Sequence, residues 1–267
     1  MQYTGDRVAF SLFGIDVYWY AIIIVTGMVL ALYLVSREMG RRGMDPDNAY
    51  DIGLWILPFG VVGARLWYVI FEWHRYDSFL DVINIRDGGL AIQGGIIAGL
   101  IVGLVLARKK GFWFPRLSDI IMPGLALAQG IGRWGNFINN EAHGVPTDLP
   151  WGVIIDGVSY HPTFLYESLG DILLFLLLVL YTRKWLRRDG QVTCLYFVGY
   201  GILRYFVEGL RTDSLMVGDF RVAQILAILG IVVGLVWFII LSKKPDNASI
   251  PGKNPYHHKE NESFSSL

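Results

Sequence analysis

Seven long apolar runs constrain the fold of this chain more than any other feature of its sequence. A helix needs about 20 mostly apolar residues to cross the hydrocarbon core of a bilayer. Runs of that length cover residues 17–36, 52–71, 89–107, 117–138, 163–182, 192–210 and 222–241. The second, fourth and sixth runs contain charges and are the weaker ones by hydropathy alone. The sequence therefore predicts an all-α polytopic membrane protein with seven transmembrane helices.

The composition agrees with a membrane protein and excludes several other classes. Only 17% of the residues are charged and the mean hydropathy is +0.44, whereas soluble domains carry roughly a quarter charged residues. The formal net charge is zero, so bulk attraction to nucleic acid has no basis and we expect no nucleic-acid partner. The single cysteine, Cys194, excludes an internal disulfide and a cysteine-rich metal site. We expect neither a bound metal nor a cofactor.

The domain organisation is predicted to be simple. Residues 1–242 should form one membrane-embedded bundle of seven helices, and residues 243–267 are polar and predicted to be a disordered cytoplasmic tail. The first residues lack the basic region, apolar core and small-residue cleavage site of a signal peptide, so the first apolar run is expected to remain as a span.

The distribution of basic residues predicts the orientation. The loops and tail after the first, third, fifth and seventh runs hold 15 of the 23 Lys and Arg residues, and the opposite side holds 5. Cytoplasmic loops carry the excess of basic residues. The N-terminus should therefore lie outside, and the C-terminus should lie in the cytoplasm.

Polar residues from several runs are predicted to lie at one depth. At 1.5 Å per residue, Arg133 lies about 24 Å along the fourth run, and Arg204 and Glu208 lie about 18 and 24 Å along the sixth. Ionisable residues inside a span are costly and face protein or water. We therefore predict a polar cavity that opens outward. Other residues expected at this depth are Tyr20, Arg65, Gln93, Glu141, His143 and His161.

The spacing of these residues indicates an anion site. Tyr200, Arg204 and Glu208 are four residues apart and share a helix face. An intrahelical Arg204–Glu208 pair would explain that spacing, but it would not explain Arg133 on another run. Guanidinium binds phosphate bidentately, and the phosphate most available at a bilayer edge is a phospholipid headgroup.

The polar residues around these arginines also suggest how the site would work. Asn136 and Asn139 could hold further oxygens of the headgroup. Chemistry at the site would need a base, for which the candidates are His161, Glu141, Glu208 and Tyr200.

Several distinctive motifs occur along the chain. The most specific is "GRWGNFINNEAHG" at residues 132–144. The supporting segments are, in order, "YWYA", "GARLWYVIF", "RDGGLAIQGG", "HPTFLYE" and "GYGILRYFVEGLR". Together they resemble the motifs of the bacterial prolipoprotein diacylglyceryl transferases, and the resemblance covers about residues 10–242.

This resemblance implies an activity at the bacterial inner membrane, with the active site near the outer face. The family transfers the diacylglyceryl group of phosphatidylglycerol to the lipobox cysteine in the signal peptide of a preprolipoprotein. A thioether forms and glycerol phosphate leaves, which is the first step of lipoprotein maturation. The nucleophile belongs to the substrate, and the implied partners are phosphatidylglycerol, the preprolipoprotein and membrane lipids.

The resemblance also implies roles for individual residues. Arg133 resembles the phosphatidylglycerol-binding arginine, and Arg204 resembles a second essential arginine. The remaining expected site residues are Tyr20, Tyr200 and Glu208 near Arg204, the signature residues Asn136, Asn139, Glu141 and Gly144, and the substrate-binding residues Arg65, Gln93 and Gly94.

One departure from the family leaves the base open. The family often has histidine in the position of Gln93, and an amide cannot take up a proton at working pH. Two other ways to ionise the substrate thiol remain. His161 could act as the base, or the positive charge of the arginines could lower the thiol pKa. A transporter or lipid-binding membrane protein is the alternative function, because it too would use intramembrane charges and an outward cavity.

Overall fold

The computed structural model describes residues 6–76, 78–85 and 88–247, and these residues are mostly helical. Each of the seven apolar runs coincides with a helix of 18–26 residues. These are α1 (Trp19–Arg41), α2 (Asn48–Phe71), α4 (Ile92–Lys109), α5 (Phe114–Asn139), α6 (Thr163–Lys184), α7 (Gln191–Leu210) and α8 (Val222–Ser242). A five-residue helix, α3 (Phe79–Ile83), and a 3-10 turn, Trp73–Arg75, lie between α2 and α4.

Within the described ranges, five helices are long and apolar enough to cross a membrane: α1, α2, α4, α6 and α8. This confirms a polytopic membrane protein. The polar residues of α5 and α7 keep these two helices below that level of hydropathy, so the count of seven spans stays a prediction.

The chain divides into two compact units. Among the described residues, the larger unit comprises 6–35 and 118–247, and the smaller unit comprises the described part of 36–117. The predicted division at residue 242 is not tested by this grouping. Most of the tail predicted to be disordered, residues 248–267, lies outside the described residues.

The smaller unit depends on close packing between α2 and α4. A Cβ added at Gly94 would lie 2.2 Å from the carbonyl oxygen of Gly63, and one added at Gly63 would lie 2.3 Å from the Cβ of Ala98. Small residues let helix backbones approach this closely in a membrane, where packing drives helix association. Gly94 is therefore needed at this crossing whatever else it does.

The larger unit is built the same way from α1, α5, α6, α7 and α8. A Cβ at Gly130 of α5 would lie 3.1 Å from the carbonyl oxygen of Ser168 in α6, and one at Gly170 of α6 would lie 2.4 Å from Leu203 of α7. Because Gly130 and Gly170 have no side chains, α5 and α7 can approach α6 closely from two sides. The apolar core of this unit consists of Ala126, Leu174, Leu178, Leu186, Val192 and Tyr196.

Three two-stranded antiparallel hairpins belong to the larger unit. They pair β1 (Val8–Leu12) with β2 (Ile15–Tyr18), β3 (Val153–Ile155) with β4 (Val158–Tyr160), and β5 (Met216–Val217) with β6 (Phe220–Arg221). The three hairpins directly precede α1, α6 and α8, respectively. The second hairpin follows the end of α5, and the third hairpin follows the end of α7. The signature segment at the end of α5 therefore lies at the hairpin end of this unit.

Candidate functional site

A single carboxylate joins the two arginines predicted for the anion site. Glu167, near the start of α6, is 3% exposed. Its Oε1 accepts from Nη1 of Arg204 on α7 at 2.5 Å, and its Oε2 contacts Nε of Arg133 on α5. Glu167 thus holds guanidinium groups from two neighbouring helices close together.

Arg204 has a second acidic partner on its own helix. Its Nη2 lies 2.6 Å from Oε2 of Glu208, four residues on, and Glu208 is 2% exposed. The intrahelical pair considered from the spacing therefore forms, and Arg204 also reaches Glu167. Arg204 thus lies between two buried carboxylates, one on α6 and one on its own helix.

The arginines keep donors for a further anion. About a fifth of each side chain is exposed, 22% for Arg133 and 19% for Arg204. Among the described residues, no hydrogen bond reaches Nη1 or Nη2 of Arg133. These nitrogen atoms are therefore available to a further acceptor.

The signature segment folds back on itself at the end of α5. Nδ2 of Asn136 donates to Oε1 of Glu141 at 3.0 Å, and Nδ2 of Asn139 donates to the same oxygen at 3.3 Å. Asn140 and Ala142 have left-handed φ values of 54° and 55°, which end the helix and turn the chain. The dense polar sequence after the apolar run is therefore a hydrogen-bonded helix terminus.

Tyr20 of α1 packs on α5, which carries Arg133, and Tyr200 lies on α7, which also carries Arg204. A Cβ at Gly135, two residues after Arg133, would lie 2.5 Å from the Tyr20 ring, so Tyr20 of α1 packs directly on the signature helix. Tyr200 stacks on Tyr196 with ring centroids 5.6 Å apart, and the Tyr196 hydroxyl donates to Oε1 of Gln129 at 2.9 Å.

His161 is held beside the signature segment by its backbone and its ring. Its amide donates to the carbonyl of Val145 at 3.0 Å, and its carbonyl accepts from Gly144 at 2.9 Å. Nδ1 lies 3.2 Å from the hydroxyl of Tyr166, which also accepts from Nε1 of Trp151 at 3.0 Å. These contacts place His161 in the loop network rather than in the Glu167 ion-pair cluster.

The same loop network reaches the end of α7. Gly144 forms an isolated antiparallel bridge with Arg211, and a Cβ at Gly144 would lie 2.8 Å from the Cβ of His161. Only glycine fits that approach. The side chain of Arg211 donates to both oxygens of Asp213 at 2.9 and 2.7 Å, and this bonding holds the pKa of Asp213 below its ordinary value.

Three predicted site residues, Arg65, Gln93 and Gly94, belong to the smaller unit. Gln93 lies in the first turn of α4. Arg65 of α2 is 8% exposed, and its nitrogen atoms donate to the carbonyl oxygens of Asp81, Val82, Asn84, Gly88 and Gly89 at 2.7–2.9 Å. A guanidinium has five N–H donors, so these five bonds leave none for phosphate. This arrangement favours a role for Arg65 in holding the segment before α4.

Sequence reasoning missed two acidic residues of α6, Glu167 and Asp171. They are four apart in an otherwise apolar run, and Asp171 is completely buried. The cost of an ionisable residue in a span identified the arginines from sequence. Applied to "YESLGD", the same argument would have identified both acids.

Comparison with known proteins gives a consistent result over nearly the whole chain. Residues 7–240 match the family model described as prolipoprotein diacylglyceryl transferase. A phosphatidylglycerol–prolipoprotein diacylglyceryl transferase of Finegoldia magna is 52% identical over 240 residues, which cover 90% of this chain and 97% of that protein. The proteins of that name from Clostridioides difficile and Bacillus cereus are each 46% identical, over 91% of this chain and 98% and 94% of their own lengths.

We expect Glu167→Gln to destabilise the protein strongly. The substitution removes the charge shared by Arg133 and Arg204, and breaking a buried ionic network costs about 3–5 kcal/mol. Thermal unfolding of the purified protein in detergent measures the loss. Glu72→Gln is the matched control, because the Glu72–Arg75 pair is 32% and 59% exposed and surface pairs contribute about 0–1 kcal/mol. Equal melting temperatures for the two variants would contradict a central structural role for Glu167.

Proposed function

The chain belongs to the prolipoprotein diacylglyceryl transferase family, and we propose that it transfers the diacylglyceryl group of phosphatidylglycerol to the lipobox cysteine of preprolipoproteins. The relatives are named for these two substrates. In the reaction, the cysteine sulfur forms a bond to a glyceryl carbon as the carbon–oxygen bond to phosphate breaks. The thiol proton is released, and glycerol phosphate leaves. The observation that carries the proposal is the pair of arginines held together by Glu167, in a chain this similar to named transferases.

In this proposal the two arginines bind the lipid phosphate and stabilise it as it leaves. Negative charge grows on the phosphate oxygens when the carbon–oxygen bond breaks, and preorganised cations in a dry site lower the barrier to such a step. Glu167 supports this role because it fixes both guanidinium groups before the lipid arrives. The free Nη atoms of Arg133 are the first donors available to the phosphate.

The signature residues complete the proposed lipid site. Asn136 and Asn139 orient Glu141 through their amide donors, and this carboxylate is then placed to accept hydrogen bonds from headgroup hydroxyls. Tyr20 and Tyr200 line the site, and Glu208 keeps Arg204 in place. The roles of Gln93 and Gly94 in binding substrate stay predictions, and Arg65 holds the segment that leads into α4.

We propose that His161 accepts the proton of the substrate thiol. Alternatively, the positive charges of Arg133 and Arg204 suffice, and no proton acceptor on the protein is needed. Glu208 is engaged by Arg204 in an ion pair. For His161 to serve, Nδ1 must donate to the Tyr166 hydroxyl, so that Nε2 keeps its lone pair. The Tyr166 oxygen would then accept from both His161 and Trp151. Lowering of the thiol pKa by Arg133 and Arg204 is the other route.

A transfer assay tests the proposed function directly. Purified protein is given radiolabelled phosphatidylglycerol and a lipobox peptide, and label on the peptide is measured. A transporter or lipid-binding protein would leave the peptide unlabelled. A peptide with serine in place of the cysteine is the control, since it removes the nucleophile and nothing else.

We further propose seven spans, with the N-terminus outside, the C-terminus in the cytoplasm, and a polar cavity that opens toward the outer face. The excess of basic residues in alternate loops supports this orientation. A C-terminal fusion to a cytoplasm-active reporter should therefore be active. Activity of a C-terminal reporter that functions only in the periplasm would overturn the topology.

We expect Arg133→Lys and Arg204→Lys to insert normally and to lose most transfer activity. Lysine keeps the charge but lacks the planar fork that binds phosphate bidentately. The loss of one charge-assisted hydrogen bond costs about 1.5–3 kcal/mol, or roughly ten- to a hundredfold in rate. Arg75→Lys, on an exposed side chain of the smaller unit, is the control. Wild-type transfer rates for both Arg133→Lys and Arg204→Lys would contradict bidentate binding of the phosphate by these arginines.

We expect Gln93→His to be active and Gln93→Leu to be impaired. A neutral imidazole offers one donor and one acceptor in place of the amide. Leucine would leave the hydrogen-bond partners of the Gln93 amide unpaired, at a cost of about 1–3 kcal/mol. If His161 is the base, His161→Gln should lose about a hundredfold or more, exceeding the loss in Gln93→Leu. Full activity of His161→Gln would favour activation of the thiol by the arginines, and full activity of Gln93→Leu would remove Gln93 from catalysis.

A further inference from the structure

Asp171 is a completely buried carboxyl group that no donor reaches. Its exposure is 0%, and within the described ranges neither Oδ1 nor Oδ2 has a hydrogen-bond partner. It lies one helical turn after Glu167 on α6, where α5 packs closely: a Cβ at Gly130 would lie 3.3 Å from the Cβ of Asp171. Buried polar groups almost always have partners, so this carboxyl requires an explanation.

The groups that face Asp171 are two arginines, one glutamate and two tyrosines. Arg133 faces it from α5, Glu167 lies on its own helix, and Arg204, Tyr196 and Tyr200 face it from α7.

Both arginines are already engaged by other carboxylates, Arg133 by Glu167 and Arg204 by Glu167 and Glu208, and among the described residues neither forms an ion pair with Asp171. A buried charge without its own partner is strongly unfavourable, and such a group is neutralised instead.

We propose that Asp171 holds a proton in the working enzyme, and that this proton keeps the Arg133–Arg204 site able to accept the anionic phosphate of the lipid. The inference rests on the proposed function and adds a proton-binding residue to it. An ionised Asp171 places one more negative charge beside Arg133 and Arg204 and opposes the incoming phosphate. A neutral Asp171 does not. A carboxyl that carries a proton cannot accept one from the thiol, so Asp171 is a positioning residue for charge and not the base.

This assignment predicts the sign of a pH effect on lipid binding. Asp171 is neutral at low pH and ionises as the pH rises, and its ionisation weakens the attraction of the arginines for phosphate. The phosphodiester of phosphatidylglycerol keeps a single negative charge throughout that range. The KM for phosphatidylglycerol should therefore rise toward alkaline pH. The rise should be about tenfold, the size expected for one added charge near a partly screened ion pair.

The test is the pH dependence of that KM, measured with saturating lipobox peptide for wild type, Asp171→Asn and Asp156→Asn. Asparagine has the shape of a neutral aspartic acid, so KM in Asp171→Asn should stay flat where wild type rises. Asp156→Asn removes one acid at an exposed turn with a φ of 50°, a conformation that asparagine tolerates, and it should follow wild type. An undiminished rise in Asp171→Asn would overturn the proposal, as would an elevated KM at neutral pH, which would mean that the site needs the charge.

Infrared spectroscopy provides a measurement that needs no variant. Wild-type protein labelled with ¹³C in its aspartate carboxyl groups should show a carbonyl band of a protonated aspartic acid at neutral pH, shifted by the label. The band should disappear over the pH range in which KM rises. Absence of the band at neutral pH would overturn the assignment even if Asp171→Asn failed to fold. Failure of the wild-type protein to transfer lipid at any pH would instead contradict the proposed function, and absence of the band would still overturn the assignment of a proton to Asp171.

Discussion

The sharing of the Glu167 carboxylate by Arg133 and Arg204 is the interaction on which the rest of the larger unit depends. Two guanidinium groups on neighbouring helices repel each other unless an anion lies between them. Glu167 provides that anion, and its two oxygens engage one arginine each. The pairing requires α5, α6 and α7 to lie close together and in one register, and Gly130 and Gly170 allow the backbones to approach. Packing and electrostatics are thus parts of one arrangement.

The loops around this cluster are organised by main-chain hydrogen bonds more than by side-chain contacts. Gly144 pairs with His161 and Arg211, and Val145 pairs with His161 and Leu210. These bonds connect the end of α5, the start of α6 and the end of α7. A site that must hold a lipid phosphate in a defined orientation benefits from such rigidity, because positioned groups cost no reorganisation when charge develops.

The sequence predicted the helices well and the site in part. All seven apolar runs became helices with ends within five residues of those predicted, because apolar length and polar boundaries are local properties. Arg133, Arg204 and Glu208 were identified because a charge in an apolar run is conspicuous. Arg65 was identified by the same reasoning, yet its donors are all bonded to the backbone of residues 81–89. Depth along a helix does not reveal which partner a side chain meets.

What the sequence determined by itself is the helical membrane fold, the motifs that identify the family, and the residue types available for an anion site. These follow from hydropathy, from local order along the chain and from the chemistry of guanidinium. Only the tertiary structure decided that Glu167 lies between the two arginines, that Asp171 is left without a partner, and that Arg65 is fully used by its own loop. Each of these depends on residues brought together from distant parts of the chain. The spacing of residues in a sequence fixes neighbours within one helix, and the packing of several helices decides which charges are paired.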